Sequence, residues 1–226
     1  MAIAKSQIVA AAIALLDEVG IDQLTTRKLA ERLGVQQPAL YWHFKNKREL
    51  LDAVNEAIMI DGHISRVPKP GERWQDFVKA NARSFRASLL AHRDGARIHA
   101  GTRPGPSDLK GVEAQLKLYF DAGFDEVTAA YTGIAISRYV LGSVLEEQAE
   151  LERPEEGLDR AFDDYPLLKS FVENHLMNDR SDVDERTFEL GLELIVDGLA
   201  ARLARSTGNQ QRIGQVRRGE QTRTPK

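Results

Sequence analysis

The chain has 226 residues, 42% of them hydrophobic, no cysteine and a formal net charge of −3. The lack of cysteine excludes disulfides, thiolate zinc sites and cysteine nucleophiles, and no stretch approaches the ~18 uninterrupted apolar residues of a membrane span. A soluble, cytoplasmic protein with no membrane partner is expected, long enough for two small helical domains with packed cores.

The charge is unevenly placed: residues 1–50 carry +2, residues 205–226 carry +5 and the stretch between them −10. Basic ends around an acidic middle suit a molecule that touches a polyanion with one part only. Near the start, Ile8, Ala12, Leu15 and Val19 make an amphipathic helical stripe rather than a targeting segment. Thr25 stands where a second helix needs a cap, Leu29, Ala30 and Leu33 recur at helical spacing, and Gly34 supplies a turn. A third helix opens around Pro38, which is tolerated where the N–H needs no intrahelical partner.

With Val35 and Leu40 turned inward, Gln37, Ala39, Tyr41, Trp42 and His43 are left to face outward or flank the helix. Asn46 followed by Glu49 resembles a capping box for the next helix, and Lys45, Lys47 and Arg48 suit phosphate contacts. Each of these residues alone fits a plain helical pair with a solvated charged face. Together, two short helices about a glycine turn, with aromatic and polar side chains on the second, have the layout of a helix-turn-helix DNA reader.

A connecting helix is expected over residues 47–63, followed by a breaker cluster at residues 66–71. Trp74, Phe77, Val78, Phe85 and Leu89 mark another helix. Gly95, Gly101, Pro104, Gly105 and Pro106 then leave room for a marginal short helix or turn. Helices are predicted over residues 108–121, 126–148, 166–178 and 183–203, with an acidic mobile loop at residues 150–164. The stripe Phe188, Leu192, Ile195, Leu199 and Leu203, with Gly191 and Gly198 seven apart, can pack within one subunit or form a four-helix bundle across a two-fold axis. The bundle is preferred, because a palindromic DNA site calls for a symmetric dimer.

The fold class is therefore all-α. A three-helix DNA-binding domain occupies residues 1–46 and a helical ligand-binding and dimerisation domain residues 47–204, with 47–66 as connecting helix. Residues 205–226 form a disordered basic tail, open to weak non-specific DNA contact.

Four blocks carry a family resemblance: LLDEVGIDQLTTRKLAERLGVQQPALYWHFKNKRELLDA, WQDFVKANARSFRASLLAHRDGARIHAGTRP, GSVLEEQ and FELGLELIVDGL. The chain resembles the TetR family of transcriptional repressors, and within it the tetracycline-repressor branch, over roughly residues 5–203. The first block alone would indicate only the broad family; the second and third resemble the inducer-binding domain of that branch.

The resemblance implies DNA contacts at Thr25, Thr26, Arg27, Gln37, Pro38, Ala39, Tyr41, Trp42, His43 and Lys47. Arg27 would read a guanine edge and Gln37 an adenine, the pairings that the major groove favours for those groups. Pro38 and Tyr41 would touch methyl groups and backbone, and Thr26, Trp42 and Lys47 would hold phosphates. Ala39 departs from the usual threonine.

For an inducer, the resemblance implies His63, Asn81, Phe85 and Gln115 around the polar end of a tetracycline. His99 would be a direct magnesium ligand, and Thr102 and Glu146 would hold the metal's waters. Arg103 and Pro104 fall in the segment that rearranges on induction. Arg138 stands where the branch has a pocket-lining histidine, and Ala130 and Gly133 are smaller than their counterparts, so a different polycyclic, chelating or export-related ligand stays open. Because magnesium prefers oxygen ligands and keeps water, metal and drug would form a joint ligand. The implied function is a homodimeric repressor released from a palindromic operator by its inducer. A metal-assisted hydrolase built on His99 and Glu146 is the rival from another class, but the chain has no HExxH, serine-elbow or cysteine motif for it.

Overall fold

The computed structural model describes residues 3–100, 102, 105–151, 162–176 and 180–221, and every regular element among them is helical. α1 (Lys5–Gln23) buries Ile8, Ala12, Leu15 and Leu16 and turns at Gly20, whose φ of 75° is open to glycine and strained for other residues. α2 (Thr26–Arg32) starts on Thr25, whose hydroxyl accepts from the Lys28 amide at 3.2 Å, a cap of the kind that stabilises a helix start by about 1 kcal/mol. A bidentate pair between Arg32 and Glu18 ties α2 back to α1. After the turn at Gly34 (φ 64°), α3 (Pro38–Tyr41) makes a single turn, with Pro38 at its first position and Leu40 buried.

α4 (Lys47–Gly62) begins with a modified capping box: Asn46 accepts from the Glu49 amide at 2.9 Å, while the Glu49 carboxylate reaches past the cap to the Lys45 amide at 2.7 Å. α4 packs against α1 in the reader and against α5 (Trp74–Leu90) and α6 (Gly95–His99) behind it. α6 is a short helix with neighbours on three sides, α4, α5 and α8 (Glu126–Glu150). Its start leaves no room for a side chain: a Cβ on Gly95 would overlap the Leu89 carbonyl. Between them, α7 (Pro106–Asp121) leads into α8, which is capped by Asp125 accepting from the Thr128 amide at 2.9 Å.

Two expectations need correction. First, α9 (Pro166–Phe171) is short, and the chain widens into a π-type turn over Val172–Leu176 instead of continuing as one α-helix. Second, α10 (Arg180–Gln221) runs on through residues 205–221, the segment expected to be disordered. Once a helix is nucleated, each further residue adds a backbone hydrogen bond without a new nucleation penalty. The apolar stripe of α10 packs within the subunit: Phe188, Leu192 and Val196 are buried against α5 and α8, Phe188 stacks on Tyr139, and the Tyr139 hydroxyl occupies the space over Gly191. The apolar groups left outside are Leu190 and Leu194 on α10 and Val127, Tyr131 and Ile134 on α8. Residues 152–161, most of the expected mobile loop, lie outside the described residues, as do Arg103 and Pro104.

Candidate DNA surface and ligand site

On the reader, α2 and α3 bring the expected contact residues onto one surface. Gln37 Nε2 donates to Thr26 Oγ1 at 2.8 Å and lies 3.4 Å from the Tyr41 hydroxyl, so the residue proposed to read a base is anchored to both helices. Tyr41 is 49% and Trp42 88% exposed, a large aromatic area to leave in water for a chain with no partner there. Arg27 is exposed with no ion-pair partner among the described residues, Thr25 and Pro38 are exposed, and Ala39 and His43 are half-buried beside them. Lys47 Nζ donates to the Ile21 carbonyl at 3.3 Å, which places its charge at the end of α1.

Behind the reader, four elements converge. His63 lies just past the end of α4, Asn81, Ser84 and Phe85 project from α5, His99 ends α6, and Gln115 lies on α7. The Phe85 ring sits between the two imidazoles, 5.4 Å from His63 and edge-on at 4.9 Å from His99. Asn81 Nδ2 can only donate, and it lies 2.9 Å from the Ser65 carbonyl and 3.4 Å from His63 Nε2. His63 Nε2 is therefore the acceptor, and Nδ1 carries the proton donated to Ser84 Oγ at 3.0 Å. Burial first, then the nearby Arg66 and His99, push the His63 pKa down to about 4, in keeping with this neutral ring.

His99 is oriented in the same manner. Its Nδ1 lies 3.0 Å from Asn55 Oδ1, an acceptor, so Nδ1 carries the proton and Nε2 the lone pair; burial holds its pKa below the ordinary value. A neutral imidazole fixed through its second nitrogen is suited to ligating a metal. Among the described residues, no group of three His, Cys, Asp or Glu side chains could hold an ion, so one imidazole leaves most of a magnesium shell to ligand and water. Thr102 joins His99 through its hydroxyl, which donates to the His99 carbonyl at 2.7 Å.

Two expected residues stand apart. Arg138 and Glu146 are exposed on α8 and line a groove against α10 together with Glu147, Asp184 and Phe188. Val144 is buried and Gln148 faces α6, and Glu146 lies halfway between them in sequence, hence on the opposite face of the helix. Within one chain, Glu146 does not join His99. Gly133, by contrast, faces the site: a Cβ there would sit 4.0 Å from Gln115 Oε1.

Asn55, Ser65, Ser84, Arg66 and Asp108 were not among the expected site residues. Only Asn55 had a sequence signal, a carboxamide next to the apolar stripe of α4. The largest omission is the joint between site and reader. Asp94, buried and with a φ of 57°, accepts from the Ile21 amide at 2.7 Å and from Arg97 at 2.9 Å. Arg97 also forks onto Asp22, while Asp17 accepts from the Arg93 amide at 3.1 Å. A Cβ on Gly20 would come within 2.9 Å of Asp94 Oδ2, so the kink in α1 and the start of α6 fit only because that residue is glycine. α6 therefore holds the end of α1 at one terminus and carries His99 at the other.

Residues 8–54 match the family model for bacterial regulatory proteins of the tetR family, and residues 67–203 match the tetracyclin repressor-like C-terminal domain. The chain is 50% identical to the class A tetracycline repressor protein from transposon 1721 of Escherichia coli, over 86% of this chain and 89% of that protein. Among solved structures, a TetR from Acinetobacter baumannii AYE superposes with a TM-score of 0.74 at 44% identity, covering 89% of this chain and 98% of that one. A class A TetR in complex with 5a,6-anhydrotetracycline and magnesium gives a TM-score of 0.68 at 44% identity, with 88% and 99% covered. No helix among the described residues is long and apolar enough to cross a membrane. With relatives of this kind over both domains, the hydrolase alternative falls away: the chain belongs to the TetR family, as a ligand-responsive transcriptional repressor and not an enzyme.

Proposed function

We propose that this chain acts as a homodimer on a palindromic operator and leaves it when a tetracycline-type ligand binds together with magnesium. The observation that carries this is the placement of α6, bonded to the reader through Asp94 and Arg97 at its start and ending at His99. Ligand bound at His99 would shift α6, and with it α4 and the end of α1. In a dimer whose recognition helices sit in successive major grooves about 34–36 Å apart, a small tilt of each reader takes the pair out of register.

His63, Asn81, Phe85 and Gln115 would grip the polar end of the drug. His99 Nε2 would ligate magnesium, with Thr102 beside it holding a metal-bound water. Bound magnesium would supply a positive centre for the drug's chelating oxygens. The exposed apolar groups Val127, Tyr131 and Ile134 on α8 and Leu190 and Leu194 on α10 would form the dimer contact. Arg138 and Glu146 are exposed on α8 and turned away from the site of their own chain, and we assign them to a partner's site. To take the operator-bound form from 99% to 1%, the ligand must favour the released form by about 5.5 kcal/mol.

The purified protein should shift its own upstream intergenic DNA, and tetracycline with magnesium should release it. Failure of the shift would overturn the operator assignment, and failure of release the ligand assignment. A second reading, a bulkier polycyclic chelator, is favoured by the space at Gly133 beside Gln115. A thermal-shift screen of polycyclic chelators with and without magnesium separates the two.

A further inference from the structure

The side chains assigned to the drug's polar end already hold something else. Asn81 Nδ2 donates to the Ser65 carbonyl and Gln115 Nε2 to the Arg66 carbonyl, both at 2.9 Å, while the Ser65 amide donates to Ser84 Oγ at 3.1 Å. The connector between α4 and α5 thus lies on the very groups that would grip a ligand. It comes close enough to α7 that a Cβ on Gly111 would touch the Arg66 carbonyl at 3.6 Å. A ligand can replace hydrogen bonds to carbonyl oxygens with its own.

One tie has no such replacement. Arg66 NH1 donates to Asp108 Oδ1 at 3.0 Å, both side chains being about two-thirds buried, and Asp108 Oδ2 accepts from the Gly105 amide at 3.0 Å. A single carboxylate therefore fastens the connector to the start of α7 and at the same time caps that helix at Gly105.

We propose that Arg66 and Asp108 form a clasp that holds the connector over the ligand site, so that ligand must compete with residues 65 and 66 and the clasp sets the concentration at which it succeeds. The proposal rests on the ligand site described above. Arg66 is a positioning residue that acts through the connector, and opening the clasp strengthens ligand binding.

The test measures tetracycline with magnesium by drug fluorescence on the full chain, as wild type, Arg66→Ala, Asp108→Asn and the double variant. Asparagine keeps an oxygen for the Gly105 amide. Arg66→Ala should bind roughly fivefold more tightly, Asp108→Asn should move in the same direction, and the double variant should gain no more than the larger single change. Without ligand, amide exchange over residues 63–68 should be faster in Arg66→Ala than in wild type. Weaker or unchanged binding by Arg66→Ala, additive single effects, or unchanged exchange each overturn the clasp. If wild type binds no tetracycline with magnesium, the ligand assignment fails, and the exchange comparison alone decides whether the clasp exists.

Discussion

On the reader, Arg27, Tyr41 and Trp42 stand in water, with Gln37 braced between Thr26 and Tyr41, whereas behind it His63, Asn81, His99 and Gln115 are each bonded to another part of the chain. The first surface waits for a partner that brings its own charges and hydrogen-bonding groups. The second already has its donors engaged within the chain, so a ligand there must offer more than the internal bonds that it displaces. A repressor gains from this asymmetry. On the proposed function, DNA binding would be the default state, and only a ligand with strong, specific contacts, such as a chelated divalent ion, would overcome these internal bonds.

Substitutions can break the comparison at either end. His99→Ala should have the largest effect, lowering affinity for tetracycline with magnesium at least ~100-fold, about 2.7 kcal/mol, while operator binding stays within twofold. Titration calorimetry beside a gel-shift assay would show this, and an equal loss on both ligands would mean that His99 is structural. Arg27→Ala is expected to act in the opposite sense, costing about 1–3 kcal/mol of operator binding and relaxing preference at one base pair, with drug affinity untouched.

Asp94→Asn addresses the joint. It keeps an oxygen for the Ile21 amide but loses the charge that holds Arg97, so both single affinities should survive while the drug's effect on operator affinity shrinks about tenfold. Operator titrations with and without drug measure that ratio, and an unchanged ratio removes α6 from the route. The smallest effect belongs to Lys47→Ala. It should weaken operator binding a few-fold for any sequence and reduce the slope of log affinity against log salt by about one.

Much of the reader was legible because its signals are contiguous. Thr25, Gly34, Pro38 and Asn46 act on their immediate neighbours, and caps and turns are decided within four or five residues. The candidate ligand site was legible only through the family resemblance, because its groups come from four elements and their mutual bonds depend on how α4, α5, α6 and α7 dock. The Arg66–Asp108 pair spans 42 positions and no local pattern announces it. α10 shows a different limit. Periodicity found its apolar stripe, but a helix with apolar groups on two faces does not say which face turns inward, and packing against α5 and α8 chose Phe188, Leu192 and Val196 over Leu190 and Leu194.

The chain has two tryptophans, and they fall one to each region. Trp42 is 88% exposed on the reader, while Trp74 is 5% exposed at the start of α5, edge-on to Phe124. Their emission should separate into a red, quencher-accessible component and a blue, shielded one. Bound DNA would then mask the first from iodide or acrylamide while the second serves as an internal standard. On the proposed function, the protein would therefore carry its own optical probe of operator occupancy, readable without label or substitution.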